Sequence, residues 1–238
     1  MNFVILTAGG TGSRMHNAIP KQFLSVFDKP ILVYAMECFQ NDPNINGIVI
    51  VALKGYEAYV QALAEQFKIT KFLGVTLGGS CGQESIFNGL TLLSHFAKPN
   101  DIVLIHDGNR PLVSSDVIDD CIATTEKQGN ACAATPCNEA MLESLDGLTS
   151  NHSIPRETIK KTQTPHGCRY GALMELHAAA QKRGITNSVA TVTLLIEMGH
   201  TIYFSLGSEK NFKITTPNDL DIFKSLLLSD PAFKTLHQ

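Results

Sequence analysis

Continuous apolar runs and helical stripes alternate along the chain. Residues 3–6, 47–53 and 101–107 are short, rich in β-branched side chains and apolar without alternation. Such runs predict strands buried on both faces of a parallel sheet. Ile31, Leu32, Ala35, Cys38 and Phe39 recur at helical spacing, as do Ile86, Leu90 and Leu93. The same patterns predict helices over 56–67, 85–96, 114–127, 169–183 and 189–198, and strands over 75–77, 131–136, 201–206 and 212–215. Asp28 is placed to cap the first helix, with Pro30 near its first position, where a missing N–H costs nothing. Thr216 and Pro217 open the last helix.

Strands alternating with helices predict an α/β fold, a doubly wound and mainly parallel sheet in a single domain over 1–238. Residues 139–161 break that rhythm. They are more polar, with short strand-like pieces, and predict a small protruding β-arm over about 137–162. An arm of this kind suits pairing with a second subunit. Ligands in doubly wound sheets bind beyond the carboxyl ends of the strands. The loops at 8–21, 78–85 and 107–111 all fall there.

A hydrophobic content of 44% with 17% charged residues fits a folded protein. The net charge of −3 argues against a nucleic-acid or membrane surface as the main partner, so any charge that binds phosphate has to be local. No apolar run reaches bilayer length, and the chain enters a strand at once without a signal-like leader, so a cytoplasmic location is expected. The cysteines at 38, 81, 121, 132, 137 and 168 show no Cys-x-x-Cys pair or zinc spacing and are read as reduced thiols. Cys81, between Gly79 and Gly82, is the one to watch for reactivity.

The first strand opens into Ala8-Gly-Gly-Thr-Gly-Ser-Arg-Met15, followed by Pro20-Lys21-Gln22. Glycines let main-chain N–H groups approach a polyphosphate, and Arg14 and Lys21 add a planar fork and a point charge. The loop reads as a nucleoside-triphosphate cradle. It is not the dinucleotide fingerprint, because Met15 stands at the third glycine position, and no Lys follows the last Gly as a P-loop requires. An ordinary strand-to-helix turn is the plain alternative.

Together the motifs resemble the cytidylyltransferases of sugar-alcohol phosphates, in their methylerythritol 4-phosphate and ribitol 5-phosphate branches. The matching pieces are the glycine loop, Pro20-Lys-Gln-Phe23, Gly78-Gly79 with Ser85, and His106-Asp107 with Arg110-Pro111. They continue with Pro155-Arg156, Gln163-Thr-Pro165, Lys213-Ile-Thr215 and Pro217-x-Asp219-Leu220. The resemblance implies a Rossmann-like nucleotidyltransferase fold and a homodimer. It implies that Ala8, Gly9, Gly10, Gly79 and Ser85 hold cytosine and ribose, and that Gly12, Ser13, Arg14 and Lys21 hold the triphosphate of CTP. Asp107 would coordinate Mg²⁺. Arg110, Thr164, Lys213 and Arg156 would meet the acceptor phosphate, Arg156 across the dimer. Arg14, Lys21 and Lys213 are the expected catalytic charges. No general base is expected, because a phosphate monoester is already a dianion at about pH 7. His106 and His166 read as structural.

Departures from the family pattern gather on the acceptor side. Gly82 replaces a usual arginine, Glu139-Ala140 replaces Asp-Thr, Thr186-Asn187 replaces Thr-Asp, and Gly108-Asn109 replaces Ala-Ala. The spelling of the glycine loops is nearer the ribitol branch. The expected activity is CMP transfer to a polyol phosphate for cell-wall or capsule polymers, with D-ribitol 5-phosphate first. Methylerythritol 4-phosphate, of isoprenoid synthesis, is second. A nucleotide-binding paralogue without activity, and more remotely a nicotinamide-dependent oxidoreductase, are the competing classes.

Overall fold

The computed structural model describes residues 1–10 and 19–229. Seven strands form one sheet in the order β11-β7-β10-β6-β1-β4-β5. These are β1 (Asn2–Ala8), β4 (Gly47–Ala52), β5 (Phe72–Leu77), β6 (Ile102–Asp107), β7 (Asn130–Pro136), β10 (Lys160–Arg169) and β11 (Phe204–Leu206). β1 pairs in parallel with β4 and β6, β4 with β5, and β11 with β7. Only β10 runs antiparallel, between β6 and β7. The doubly wound, mainly parallel sheet expected from the apolar runs is therefore present.

The runs lack alternation because both faces are covered. In β1, Val4, Leu6 and Ala8 pack on one side with Leu32, Met36 and Phe39 of α1 (Ile31–Asn41). That side also holds α2 (Glu57–Gln66) through Val60 and Leu63, and α4 (Ser115–Gln128) through Val117 and Cys121. Phe3 and Ile5 pack on the other side with Ile86, Leu90 and Leu93 of α3 (Gly82–Leu93). α5 (Tyr170–Lys182) and α6 (Thr191–Glu197) complete that layer through Leu173 and Leu194. A third cluster of Val26, Ile31, Tyr34, Ile214, Phe223 and Leu227 docks the last helix, α7 (Pro217–Ser229). Among the described residues no helix is long and apolar enough to cross a membrane.

Several local expectations are corrected. Asp28 does not cap α1. It lies at φ 61° after Phe27 at φ 49°, the two-residue turn of a hairpin between β2 (Ser25–Val26) and β3 (Lys29–Pro30). Two positive φ angles match the right-handed twist of such a hairpin, and Asp tolerates them. α1 starts directly after Pro30 with no side-chain cap. Residues 212–215 pair with no strand, and the strand expected over 201–206 is confined to Phe204–Leu206. β10 is absent from the sequence reading because Pro165 and its polar flank hide it. The 139–161 stretch forms a separate antiparallel hairpin of β8 (Met141–Glu143) and β9 (His152–Ile154), whose turn is built on Asp146 accepting from the N–H groups of Leu148 and Thr149.

Candidate active site

The chain segments after β1, β5, β6, β7 and β11 leave the sheet at one edge, the carboxyl ends of the parallel strands. A cleft of about 570 Å³ opens there. Its floor is the point where the chain, having gone outward through β4 and β5, returns to β6 on the other side of β1, as expected for a ligand site in a doubly wound sheet.

Two glycine loops form one wall, where Ala8, Gly9, Gly10, Gly79 and Ser85 all line the cleft. The loops touch, with the Cβ position of Gly9 3.6 Å from the Gly78 Cα. Gln22 ties the first loop down, its buried Nε2 donating to Ala8 O (2.6 Å) and Gly10 O (3.0 Å). Ser85 shapes the second, since Oγ accepts from Gly79 N (3.0 Å) and donates to Cys81 O (2.8 Å). Its single hydroxyl proton is thus committed to the loop. Glu84 accepts from both the N–H and the hydroxyl of Ser80. A side chain at Gly79 would collide with Glu84, 2.3 Å from Cγ, so the loop's path requires glycine. Cys81 is the N-cap of α3, accepting from Glu84 N. Gly12, Ser13 and Arg14, expected to hold the triphosphate, lie outside the described residues. Lys21 lines the cleft beside the first loop.

The opposite wall carries the charge. Asp107, at the end of β6, accepts from Lys213 Nζ at Oδ1 (2.9 Å) and from Arg110 Nε at Oδ2 (3.0 Å). Desolvation opposes ionisation there, but the two adjacent cations win and hold the carboxyl well below the usual carboxylate range. Asp107 N donates to Thr164 Oγ1 (3.1 Å), which brings Thr164 of β10 to the same point. Arg110 also reaches Asn211 O (2.7 Å) and does not line the cleft. Arg156 lies on the arm with its side chain 59% exposed, beside Asn138 O and Glu157, outside the cleft of its own chain.

His106 and His166 also line the cleft. Burial pushes both down to about 4, so they are neutral at pH 7. His106 Nε2 lies 3.1 Å from Arg110 O, which can only accept, so Nε2 carries the proton. Both are therefore uncharged rings at pH 7.

Asp107 is a fair partner for a magnesium–nucleotide. A carboxylate has about four lone-pair positions, of which the cations use two. Mg²⁺ is commonly held by one or two carboxylates, with phosphate and water supplying the rest. Among the described residues no group of three His, Cys, Asp or Glu could cage a metal without substrate. Asn109 and Gln163 fall in the family motifs without an expected role, and Asn211 lies outside them; the amides of all three brace the wall that carries Lys213. Only the unusual spelling Gly108-Asn109 hinted at one of them.

The fold and the sequence have close counterparts. The solved 4-diphosphocytidyl-2C-methyl-D-erythritol synthase of Anaerococcus prevotii superposes with a TM-score of 0.77 at 21% identity, over 95% of this chain and 98% of its own. The 2-C-methyl-D-erythritol 4-phosphate cytidylyltransferase of Thermus thermophilus gives 0.74 at 25% identity, over 94% and 96%. A ribitol-5-phosphate cytidylyltransferase of Lacticaseibacillus paracasei is 40% identical over 94% of this chain and 96% of its own. A 2-C-methyl-D-erythritol 4-phosphate cytidylyltransferase of Clostridium acetobutylicum is 38% identical over 95% and 97%. The IspD family model, 2-C-methyl-D-erythritol 4-phosphate cytidylyltransferase, matches residues 2–229. With a cleft that brings two glycine loops together with the Lys213–Asp107 pair, and a match running almost end to end, the chain belongs to the IspD family of cytidylyltransferases.

Proposed function

We propose that this protein transfers CMP from CTP to D-ribitol 5-phosphate, giving CDP-ribitol and pyrophosphate. The observation that carries the reaction type is the Lys213–Asp107 pair, braced from behind by Arg110, in one cleft with the glycine loops. The choice of ribitol rests on the 40% identical relative, and the glycine-loop spelling supports it.

The chemistry needs placement more than proton transfer. An oxygen of the acceptor's phosphate dianion bonds to the α-phosphorus of CTP, and the bond from that phosphorus to the α–β bridging oxygen breaks, releasing pyrophosphate. Asp107 is too acidic to serve as a base, and none is required. Lys21 neutralises the triphosphate on the donor side, and Lys213 meets the acceptor phosphate. Such fixed charges catalyse phosphoryl transfers mainly by positioning and electrostatics. Mg²⁺, when bound, supplies further charge neutralisation on the triphosphate, and Asp107 is the residue that would hold it. Arg156 reaches the acceptor only if a partner's arm delivers it, so the reading includes a homodimer.

Pyrophosphate release with CTP and a panel of ribitol, methylerythritol, glycerol, erythritol and mannitol phosphates tests the reading. Ribitol 5-phosphate should give the highest kcat/KM. A preference for methylerythritol 4-phosphate would move the protein to the other branch. CTP binding without release on any acceptor would support a non-catalytic role. Lys21→Ala and Lys213→Ala should each lower turnover at least about a hundredfold in a folded protein, the scale of losing one transition-state donor.

A further inference from the structure

Lys213 stands in a stretch, 207–216, that has no sheet ladder, and side-chain amides grip that stretch at two points. Gln163 of β10 brackets Ser208, with Nε2 donating to Ser208 O (2.8 Å) and Oε1 accepting from Ser208 N (3.1 Å). Asn109 brackets Ile214. Its Nδ2 donates to Ile214 O, and its own carbonyl accepts from Ile214 N (2.9 Å). Ile214 is fully buried among Ile31, Tyr34 and Phe223. The bracket therefore fixes the backbone one residue from Lys213 against a packed core.

The other end of the Lys213 ion pair belongs to the same turn as Asn109. Asp107, Gly108, Asn109 and Arg110 are consecutive, and Gly108 N donates to Thr7 O (3.0 Å), drawing the turn onto β1. A Cβ at Gly108 would lie 2.9 Å from Leu32 Cδ1 and 3.2 Å from Thr7 O, so the turn is packed closely against β1 and α1. Asn109 is 5% exposed and lines the cleft. One turn thus carries the carboxylate that Lys213 meets and the amide that holds the backbone beside Lys213.

We propose that Asn109 is a positioning residue, which holds the Lys213 ammonium on Asp107, ready for the acceptor phosphate, through its bond to Ile214 O. Lysine carries its charge on a flexible four-carbon stem, and preordering that stem reduces the entropy lost when the phosphate binds. The proposal goes beyond the reaction assignment and rests on it only where Lys213 is taken to meet the acceptor.

Asn109→Ala and the nearly isosteric Asn109→Leu both remove the donor. The first readout is the rate of acetic anhydride labelling at Lys213, followed by mass spectrometry against Lys29, which is paired with Glu37 (2.8 Å). Labelling of Lys213 should rise about threefold or more in both variants, the scale of losing one partly exposed ion pair, while Lys29 stays unchanged. The second readout is kinetic. With the preferred acceptor, its kcat/KM should fall at least about tenfold while the KM for CTP stays within about twofold, and Asn109→Ala should cost nothing further in a Lys213→Ala background. Unchanged Lys213 labelling, or effects that add fully to Lys213→Ala, would overturn the proposal. So would failure of both variants to fold, which would make Asn109 a structural residue. If the wild-type protein turns over no acceptor, the reaction assignment falls while the labelling still decides Asn109.

Discussion

Asp107 shows how neighbours decide the role of one residue. A carboxylate at the end of a strand can be a base, a metal ligand or a turn residue. Two cations within 3.0 Å remove the first option by keeping it ionised far into acid. Its contribution to stability is present above the unfolded value near 4 and is lost only as pH falls through the still lower folded value. The acceptor's own last phosphate proton, with a second pKa of about 6, is lost near neutrality. We expect kcat/KM for the acceptor to fall with one-proton dependence below about pH 6. The break should move when an acceptor analogue of different phosphate pKa is used. A break that stays fixed would point to a group on the enzyme instead.

Among the elements, α7 matters for more than packing. Thr216 and Asp219 form a reciprocal cap, with Asp219 N donating to Thr216 Oγ1 (3.3 Å) and Asp219 Oδ2 accepting from Thr216 N (2.8 Å). The same oxygen accepts from Thr215 N and Thr215 Oγ1, each 2.8 Å away, two residues beyond Lys213. The helix cap and the stretch that carries Lys213 therefore share one carboxylate. Asp219→Ala should cost about 1–2 kcal/mol in denaturant unfolding, as lost caps do. It should also lower turnover with the acceptor by more than its stability loss explains. Stability loss with unchanged kinetics would limit Asp219 to capping.

At the scale of the whole molecule, buried histidines set the acid limit. Burial pushes His106, His166 and His177 each down to about 4. Unfolded imidazoles titrate near 6.5, so between about 6.5 and 4 the unfolded chain takes up protons that the folded chain refuses. Stability is full above that window and falls as pH drops through it. At pH 5 the loss is about 2 kcal/mol per histidine. Urea unfolding at pH 7.5 and pH 5 should therefore differ by several kcal/mol; equal values would contradict the burial argument. The arm makes a second prediction at this scale. Leu145 and Leu148 on its tip are 96% and 90% exposed, a feature that an interface would relieve. Sedimentation should give twice the chain mass, and removing residues 141–154 should give a monomer without turnover. A monomeric wild-type protein would rule out delivery of Arg156 by a partner.

Much of this fold was legible in the sequence because burial on both faces of a strand leaves a local signature. Residues 3–6, 47–53 and 101–107 announced β1, β4 and β6, and the glycine spacing announced the loops after β1 and β5. The same signal failed at β10, whose polar start and Pro165 mask a strand seated between β6 and β7. It also failed at 212–215, which look strand-like but find Asn109 in place of a neighbouring strand. The charges of Lys213, Asp107 and Arg110 were visible as residue types and their family roles as a resemblance. Their meeting was not, since Lys213 and Asp107 are 106 residues apart. Hydrophobic periodicity belongs to a segment, so the chain alone determined which stretches are buried. Partners belong to the packed whole, so only the tertiary structure decided what each charge touches.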